Sequence, residues 1–301
     1  MELFFQQFTN GLTVGSIYAL IALGYTMVYG VLKLINFAHG DLFTIGAYLG
    51  LTLLTCFSLA GYLGVFAGIF LLTVMVFCLV GIIGVILERT AYKPLRSSPR
   101  LSAVVSALGA SIFFQNAVML IYGARVRVYP QNILPSFALD IYGVHLPVVR
   151  VMIFAVSIAL MAALYFFIQR TKTGVAIRAA AIDQGAAKLM GINVNKTISI
   201  VFLIGPALGG VAGLMVGLYY GQVNFTMGWS YGLKAFIAAI LGGIGNIPGA
   251  MLGGMLLGVI EALGAAYFSV AWKDAIAFFV LIMILIFKPT GLLGERVAEK
   301  V

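Results

Sequence analysis

Long apolar segments recur along almost the whole length of this 301-residue chain. About twenty apolar residues cross a bilayer as a helix, because every backbone polar group must be paired inside lipid. Hydrophobic residues make up 62% of the chain and charged residues only 9%. A soluble domain carries about a quarter charged residues. The sequence therefore predicts an all-α polytopic membrane protein, built as a single transmembrane domain over residues 1–301.

The apolar pattern predicts eight or nine spans, and the count depends on how short interruptions are treated. The candidate spans are residues 8–30, 41–59, 62–87, 101–122, 148–168, 198–220, 231–247, 249–270 and 272–288. Residues 33–40 and 242–249 are candidates for broken or re-entrant segments.

Basic residues cluster in three segments, 89–100, 170–196 and 288–300. Positive charge marks the cytoplasmic loops of membrane proteins. We therefore expect these segments and the C-terminus on the cytoplasmic side, with an ordered external loop at 123–147. Nine spans place the N-terminus outside, and eight place it inside. This clustering also accounts for the net charge of +9, so we expect no nucleic-acid partner.

Two similar motifs indicate an internal repeat. Residues 36–40 read Asn-Phe-Ala-His-Gly, and residues 224–228 read Asn-Phe-Thr-Met-Gly. Each follows an apolar span with a Tyr-Gly pair and precedes a segment rich in glycine and alanine. The predicted topology places the first motif at the cytoplasmic end of its span and the second at the external end, which is the pattern of an inverted-topology repeat. Coincidence in a sequence of few residue types is the alternative.

The polar segment 170–196 is the strongest interruption of the apolar pattern. It carries five basic residues and one acid, and its alanine-rich middle predicts a short helix that ends at Gly191. A helix on the cytoplasmic side offers a contact through which a soluble, energy-supplying protein can move the transmembrane domain. A simple cytoplasmic linker is the alternative.

The motifs that would carry catalysis are absent from the sequence. There is no P-loop pattern, the two histidines lie in different loops, and no Cys/His cluster has the spacing of a metal site. We therefore predict a transport protein without a cofactor rather than a membrane enzyme.

Few ionisable residues lie inside the predicted spans, where they are costly. Glu261 is the clearest case, and it either lines a pathway or pairs with another helix. Lys234 lies near the start of a span, so we expect its ammonium group to reach the interface. We expect Asp41 to cap its helix rather than bind substrate. This scarcity argues against a proton- or sodium-coupled carrier, which stays the rival hypothesis with Glu261 as its best feature.

Three segments read LINFAHGDLFTIGAY at 34–48, TGVAIRAAAIDQGAAKLMGINVNK at 173–196 and FIAAILGGIGNIPGAMLGGMLLGVIE at 236–261. Together they resemble the LivH-type permease of bacterial branched-chain amino-acid ABC importers, over almost the whole chain. The resemblance implies a permease subunit in the bacterial inner membrane that carries leucine, isoleucine or valine. It also implies three kinds of partner besides the lipid bilayer: a second, LivM-like homologous permease, two cytoplasmic ATPases and a periplasmic amino-acid-binding protein.

The stretch 185–191 also resembles the ABC importer loop motif EAAxxxG, which docks the ATPase. Gly185 stands where the motif has glutamate, so that docking contact must come from another group, such as Asp183, or be missing. The flanking basic side chains can pair with acids on the ATPase. The predicted coupling residues are Arg178, Asp183, Gly185, Ala186, Ala187, Lys188 and Gly191.

A branched aliphatic substrate fits an apolar pathway, but its ammonium and carboxylate groups need transient polar partners. The candidate pathway residues are Asn36, His39, Gln222, Asn224 and Glu261.

Overall fold

The computed structural model describes residues 1–60, 65–96, 98–130, 137–141 and 144–294. The helices are α1 (Glu2–Leu32), α2 (His39–Ala60), α3 (Val65–Leu87), α4 (Arg100–Tyr122), α5 (Val148–Arg170), α6 (Lys172–Ile182), α7 (Gln184–Leu189), α8 (Val194–Tyr220), α9 (Met227–Gly242), α10 (Ile247–Tyr267) and α11 (Lys273–Phe287). The short strand β1 (Arg127–Val128) pairs with β4 (Gln222–Val223), and β2 (Ala138–Ile141) pairs with β3 (Val144–Pro147), both antiparallel. The prediction of an all-α polytopic membrane protein is confirmed.

Seven of the described helical segments are long and apolar enough to cross a membrane. They are α1, α4, α5, α8 and α10, together with α3 as it continues to Leu95 and α11 with the short turn that precedes it from Val270. Helices α2 and α9 lie where the other two of the nine candidate spans were predicted. Helix α9 has 16 residues, which is about 24 Å of helix against a hydrocarbon core of about 30 Å. The predicted breaks coincide with chain turns, because residues 33–38 separate α1 from α2 and residues 243–246 separate α9 from α10.

The connecting segments gather at two ends of the helix bundle. At one end, the side-chain amide of Gln6 exchanges hydrogen bonds with the backbone of His145 in β3. At the other end, Gln184 of α7 donates a hydrogen bond to the carbonyl oxygen of Val31, in the last turn of α1. A cavity of about 400 Å³ at this second end is lined by the α5–α6 junction, the α9–α10 turn and Gly294. The described parts of the basic segments therefore lie at one end, as the charge pattern predicts.

Helices α1 and α8 form the centre of the bundle and are the most buried of the long helices. Glycines line their contacts, since helices in lipid associate by close packing rather than by a hydrophobic driving force. A Cβ atom on Gly258 of α10 would overlap the backbone of Gly15 in α1. One on Gly213 of α8 would overlap the carbonyl oxygen of Phe43 in α2. These backbones approach too closely for any side chain.

The helix packing follows the predicted inverted repeat and relates α1–α4 to α8–α11. Helix α1 packs along α10 as α8 packs along α3, and α2 contacts α4 as α9 contacts α11. The glycines of the two motifs meet, because a Cβ atom on either Gly40 or Gly228 would overlap the carbonyl oxygen of the other. Asn36 and Asn224 also form the same turn, in which the side-chain oxygen accepts a hydrogen bond from the amide two residues later.

Two expectations about helix ends differ from the structure. Asp41 lies in the first turn of α2 rather than before it, and its carboxylate accepts a hydrogen bond from the hydroxyl of Ser111 in α4. The carboxylate thus joins two helices. The segment 170–196 forms two short helices rather than one, because Asp183 adopts an extended conformation between α6 and α7.

Replacing Gly24 of α1 with alanine is expected to destabilise the bundle. The new methyl group would overlap the ring of His39 and lie 2.8 Å from the carbonyl oxygen of Gly205 in α8. Overpacking of this kind costs about 1–3 kcal/mol, so the thermal unfolding midpoint of the detergent-solubilised protein should fall. Gly30→Ala in the same helix is the matched control, since its methyl group would have no neighbour within 4 Å. Equal midpoints for the two variants would contradict the packing described.

Candidate functional site

Helix α6 is held firmly against the end of α5. The hydroxyl oxygen of Thr171 caps α6 by accepting a hydrogen bond from the amide of Gly174, 3.0 Å away. A Cβ atom on Gly174 would overlap the carbonyl oxygen of Ile168, so only glycine allows this approach. Arg178 donates hydrogen bonds to the same carbonyl and to the side chain of Gln169. The guanidinium group that was predicted to meet an ATPase is therefore engaged within this chain.

Helix α7 is capped at both ends and attached to α1. The carboxylate of Asp183 accepts hydrogen bonds from the amides of Gly185 at 2.7 Å and Ala186 at 3.0 Å. This carboxylate, which the sequence proposed as a docking acid, therefore caps a helix. Gly191 has a φ of +82°, which glycine adopts without strain, and turns the chain toward α8. Together with the hydrogen bond from Gln184 to the last turn of α1, these contacts fix the orientation of α7.

Large apolar side chains project from this otherwise polar surface. The exposed fraction is 87% for Ile182, 90% for Leu189 and 83% for Met190. Ala186 and Lys188 are exposed beside them, whereas Ala187 packs inward. Exposed apolar patches mark sites of contact with proteins or with a membrane. We call Ile182, Ala186, Lys188, Leu189 and Met190 the loop surface.

The three large apolar residues of the loop surface were not among the residues predicted from the sequence. The predicted coupling residues were instead the small and charged residues in and around the importer motif. Apolar residues inside a basic loop were the available signal, but a pattern alone does not tell whether such residues point inward or outward.

A buried ion pair joins the loop after α3 to the start of α8. Glu88 is fully buried, and its carboxylate accepts hydrogen bonds from Arg96 and, at 2.9 Å, from the hydroxyl of Ser199 in α8. Arg96 also donates to the side chain of Asn195, 2.6 Å away. Burial lowers the pKa of Arg96, and the nearby Glu88 carboxylate opposes that shift. The pair therefore links α3 to the helix that follows α7.

Sequence reasoning counted Arg96 only as one member of a basic loop. Its partner Glu88 begins a single π-helical turn, Glu88–Tyr92, that extends α3. Such turns are uncommon and are frequent at functional sites. The sequence offered only a weak signal for this ion pair, namely that Glu88 ends an apolar segment and Arg96 follows eight residues later.

Asn36 and His39 are buried beside the contact between α2 and α9. The side-chain oxygen of Asn36 accepts a hydrogen bond from the hydroxyl of Tyr92 at 2.8 Å. The Nε2 atom of His39 lies 3.1 Å from the carbonyl oxygen of Ile21 in α1, and the His39 ring contacts the ring of Tyr25. Both side chains therefore fasten the start of α2 to neighbouring helices.

The other predicted pathway residues lie in three different settings. Asn224 flanks the same α2–α9 contact, where its side chain forms the turn before α9. Gln222 is exposed in the short strand β4. Glu261 is buried in α10, and its carboxylate accepts a hydrogen bond from the hydroxyl of Tyr18 in α1 at 2.9 Å. The structure thus does not bring the five predicted residues together, since Asn36 contacts Tyr92, His39 packs against α1 and α8, and the other three make separate contacts.

Glu261 belongs to a cluster of four charged side chains at the junction of α9, α10 and α11. The ammonium group of Lys234 lies 2.9 Å from Glu261 and 2.9 Å from Asp274. Lys273 lies 3.6 Å from Glu261. Two carboxylates thus hold the ammonium group of Lys234, and the sequence did not predict either contact. The alternative that Glu261 pairs with another helix is the one observed.

Replacing Arg96 with methionine is expected to destabilise the protein by about 3 kcal/mol, because the buried Glu88 carboxylate loses its charged partner. Differential scanning fluorimetry of the purified protein measures the shift. The matched control is Arg89→Met, which removes an exposed arginine from the same loop and should leave the midpoint close to that of the wild type. Similar losses for both variants would mean that the Glu88–Arg96 pair contributes no specific stability.

A family model described as the permease component of branched-chain amino acid transport systems matches residues 7–285. The chain is 45% identical to the high-affinity branched-chain amino acid transport system permease protein BraD of Pseudomonas aeruginosa, over 99% of this chain and 98% of that protein. It is 43% identical to the permease protein LivH of Escherichia coli K12, with the same coverage. A probable LivH permease of Methanocaldococcus jannaschii is 29% identical over 91% of this chain and 88% of its own length.

Both the family match and the two closer similarities extend over nearly the full chain, and the fold is the multi-helix membrane bundle that a permease requires. The chain therefore belongs to the family of branched-chain amino acid transport system permeases.

Proposed function

We propose that this chain is the membrane-spanning permease subunit of an ATP-driven importer for leucine, isoleucine and valine. Full-length similarity to permeases named for branched-chain amino acid transport is the observation that carries the proposal. ATP hydrolysis then takes place in separate subunits, and the loop surface is where they dock.

The contacts of α7 support a coupling role for the loop surface. A force on α7 reaches α1 through the hydrogen bond from Gln184 to Val31. It reaches α8 along the chain, and α3 through the contacts of Arg96 with Asn195 and Glu88. Since α1 and α8 are the central helices, movement of one short surface helix acts on both halves of the repeat.

Alternating access follows from this arrangement as a mechanism. ATP binding closes the ATPase dimer, and the closure moves α6 and α7. The two halves of the repeat then shift against each other about the close contact of Gly40 with Gly228, which opens the pathway outward. ATP hydrolysis resets the arrangement. Rigid movement of one repeat against the other is the common mode in transporters built this way.

The proposed assembly contains four kinds of partner. They are a second, LivM-like homologous permease, two ATPases on the cytoplasmic side, a periplasmic amino-acid-binding protein and the bilayer itself. The location is the bacterial inner membrane. The end of the bundle that carries the basic segments and residues 288–294 faces the cytoplasm, as positive charge requires.

Reconstitution tests the proposal directly. Leucine uptake is measured in proteoliposomes that contain this chain with its candidate second permease, ATPases and binding protein, and then with each component or ATP left out. We expect uptake only with every component present. Uptake by this chain alone, driven by a proton or sodium gradient, would instead establish the secondary-carrier alternative.

Leu189→Glu should uncouple ATP hydrolysis from transport, because it places a charge in the apolar centre of the loop surface. A loss of about 1.4 kcal/mol in docking energy weakens binding tenfold, and central contacts at interfaces contribute at least this much. ATP-driven uptake and ATPase copurification should both fall by about tenfold. Leu189→Met keeps the apolar contact and serves as the matched control. Because the side chain is exposed, thermal stability should be unchanged, and unaltered uptake by Leu189→Glu would refute the docking role.

Glu261→Gln separates the two transport mechanisms. In an ATP-driven permease, the variant should keep its dependence on ATP, although loss of the charge that pairs with Lys234 should lower its stability. In a proton-coupled carrier, the same change should abolish coupled uptake. Uptake driven by ATP and by a pH gradient is compared in the same vesicles, after normalising for folded protein.

A further inference from the structure

A cavity of about 300 Å³ lies between α9 and α11, and its lining is amphiphilic. Leu233, Ile237 and Phe278 contribute apolar wall, while Lys234 and Asp274 place one cationic and one anionic group in the same lining. Small-molecule sites have this composition, in which a mostly apolar wall is combined with a few polar groups that orient the ligand. None of the predicted pathway residues lines this cavity.

The two charged groups differ in how firmly they are held. Lys234 is mostly buried, with 15% of its side chain exposed, whereas 72% of the Asp274 side chain is exposed. Behind Lys234, the Glu261 carboxylate is nearly inaccessible and is also bonded to Tyr18 and close to Lys273. Asp274 is therefore the partner that can move away from Lys234 at low cost, while Glu261 stays in place and positions the ammonium group.

A zwitterionic ligand can replace the contact between Lys234 and Asp274 and still give each of these two groups a partner of opposite charge. Its acidic group takes the place of Asp274 at the ammonium group of Lys234, and its own ammonium group binds the released Asp274 carboxylate. A ligand with only one charge would be complementary to only one of these two groups, whereas a zwitterion is complementary to both. An aliphatic body would contact Leu233, Ile237 and Phe278.

We propose that this α9–α11 cavity binds a zwitterion that combines a primary ammonium group, an acidic group and an aliphatic body. Two sources supply this chemistry: the amino-acid cargo, and the headgroup of phosphatidylethanolamine with the start of its acyl chains. The cargo assignment rests on the proposed function. Lys234 and Asp274 contact the ligand, and Glu261 is a positioning residue.

The first experiment measures radiolabelled leucine binding to the assembled transporter without its binding protein, in nanodiscs of phosphatidylcholine and phosphatidylglycerol. Unlabelled leucine should displace the label, whereas isoamylamine and isocaproate, which each lack one charge, should displace it poorly. Asp274→Asn should weaken binding about tenfold or more, because charge-assisted hydrogen bonds are the strong ones. Asp274→Glu should restore most of the affinity.

Two further variants serve as controls. Ser230→Phe fills the cavity from an exposed position of α9 without touching the charges, and it should also abolish binding. Asp140→Asn removes an equally exposed carboxylate that pairs with His145 in the β2–β3 hairpin, and it should bind leucine as the wild type does. Equal leucine affinity in the wild type, Asp274→Asn and Ser230→Phe would overturn the cargo assignment.

A second experiment uses the same proteins to test whether the headgroup of phosphatidylethanolamine occupies the cavity. Phosphatidylethanolamine is added to the nanodiscs, and the thermal unfolding midpoint is measured. A rise in the wild type that is absent in Asp274→Asn would assign the cavity to the lipid headgroup. If neither leucine nor this lipid distinguishes wild type from Asp274→Asn, the cavity is not a zwitterion site.

Uptake assays separate failure of this inference from failure of the proposed function. ATP-driven leucine uptake with the same KM in the wild type and Asp274→Asn would overturn the cargo assignment and leave the importer intact. Absence of leucine uptake by the complete wild-type assembly would instead refute the proposed function, while the lipid arm would still decide whether the cavity binds a zwitterion.

Discussion

Close backbone contact between helices is the constraint on which the rest of this structure depends. In lipid, apolar side chains gain little by touching one another, so association rests on small residues and on polar contacts. Glycines at the contacts of α1 with α10, of α2 with α8 and of α2 with α9 leave no room for a Cβ atom. These contacts hold α1 and α8 at the centre, and the loop surface, the ion pairs and the α9–α11 cavity are positioned relative to that centre.

Two buried carboxylates, Glu88 and Glu261, are compensated by basic side chains, and the two ion pairs lie in different parts of the bundle. Glu88 and Arg96 join α3 to the start of α8, close to the helices that we propose receive force from the ATPases. Glu261 and Lys234 join α10 to α9 beside the proposed zwitterion cavity. A charge that loses its partner in such a place is costly, so each pair ties two helices together in a defined arrangement.

Much of the architecture could be predicted from the sequence because it depends on local or periodic features. Apolar runs predicted the helices, basic clusters predicted which loops share an end, and the motifs at 36–40 and 224–228 predicted the relation between the two halves. The candidate site was predicted less completely. The loop that carries α6 and α7 was located, but its exposed residues Ile182, Leu189 and Met190 were not identified, since exposure is settled by which face of α7 packs against the bundle.

The sequence by itself determined that this chain is an all-α polytopic membrane protein and that one polar, basic loop interrupts its apolar segments, and it indicated an internal repeat. Hydropathy, charge and motif spacing are properties of the linear chain, so they can be read without coordinates. Only the tertiary structure decided that Lys234 pairs with Glu261, that Arg96 pairs with Glu88, and that Asp183 caps a helix. The Lys234–Glu261 pair depends on which helices lie side by side and on how each is rotated. The Glu88–Arg96 pair depends on how the chain folds back after α3, and the cap depends on where the chain breaks between α6 and α7. Rotation and helix contact are set by glycine packing across the whole bundle, which no single segment specifies.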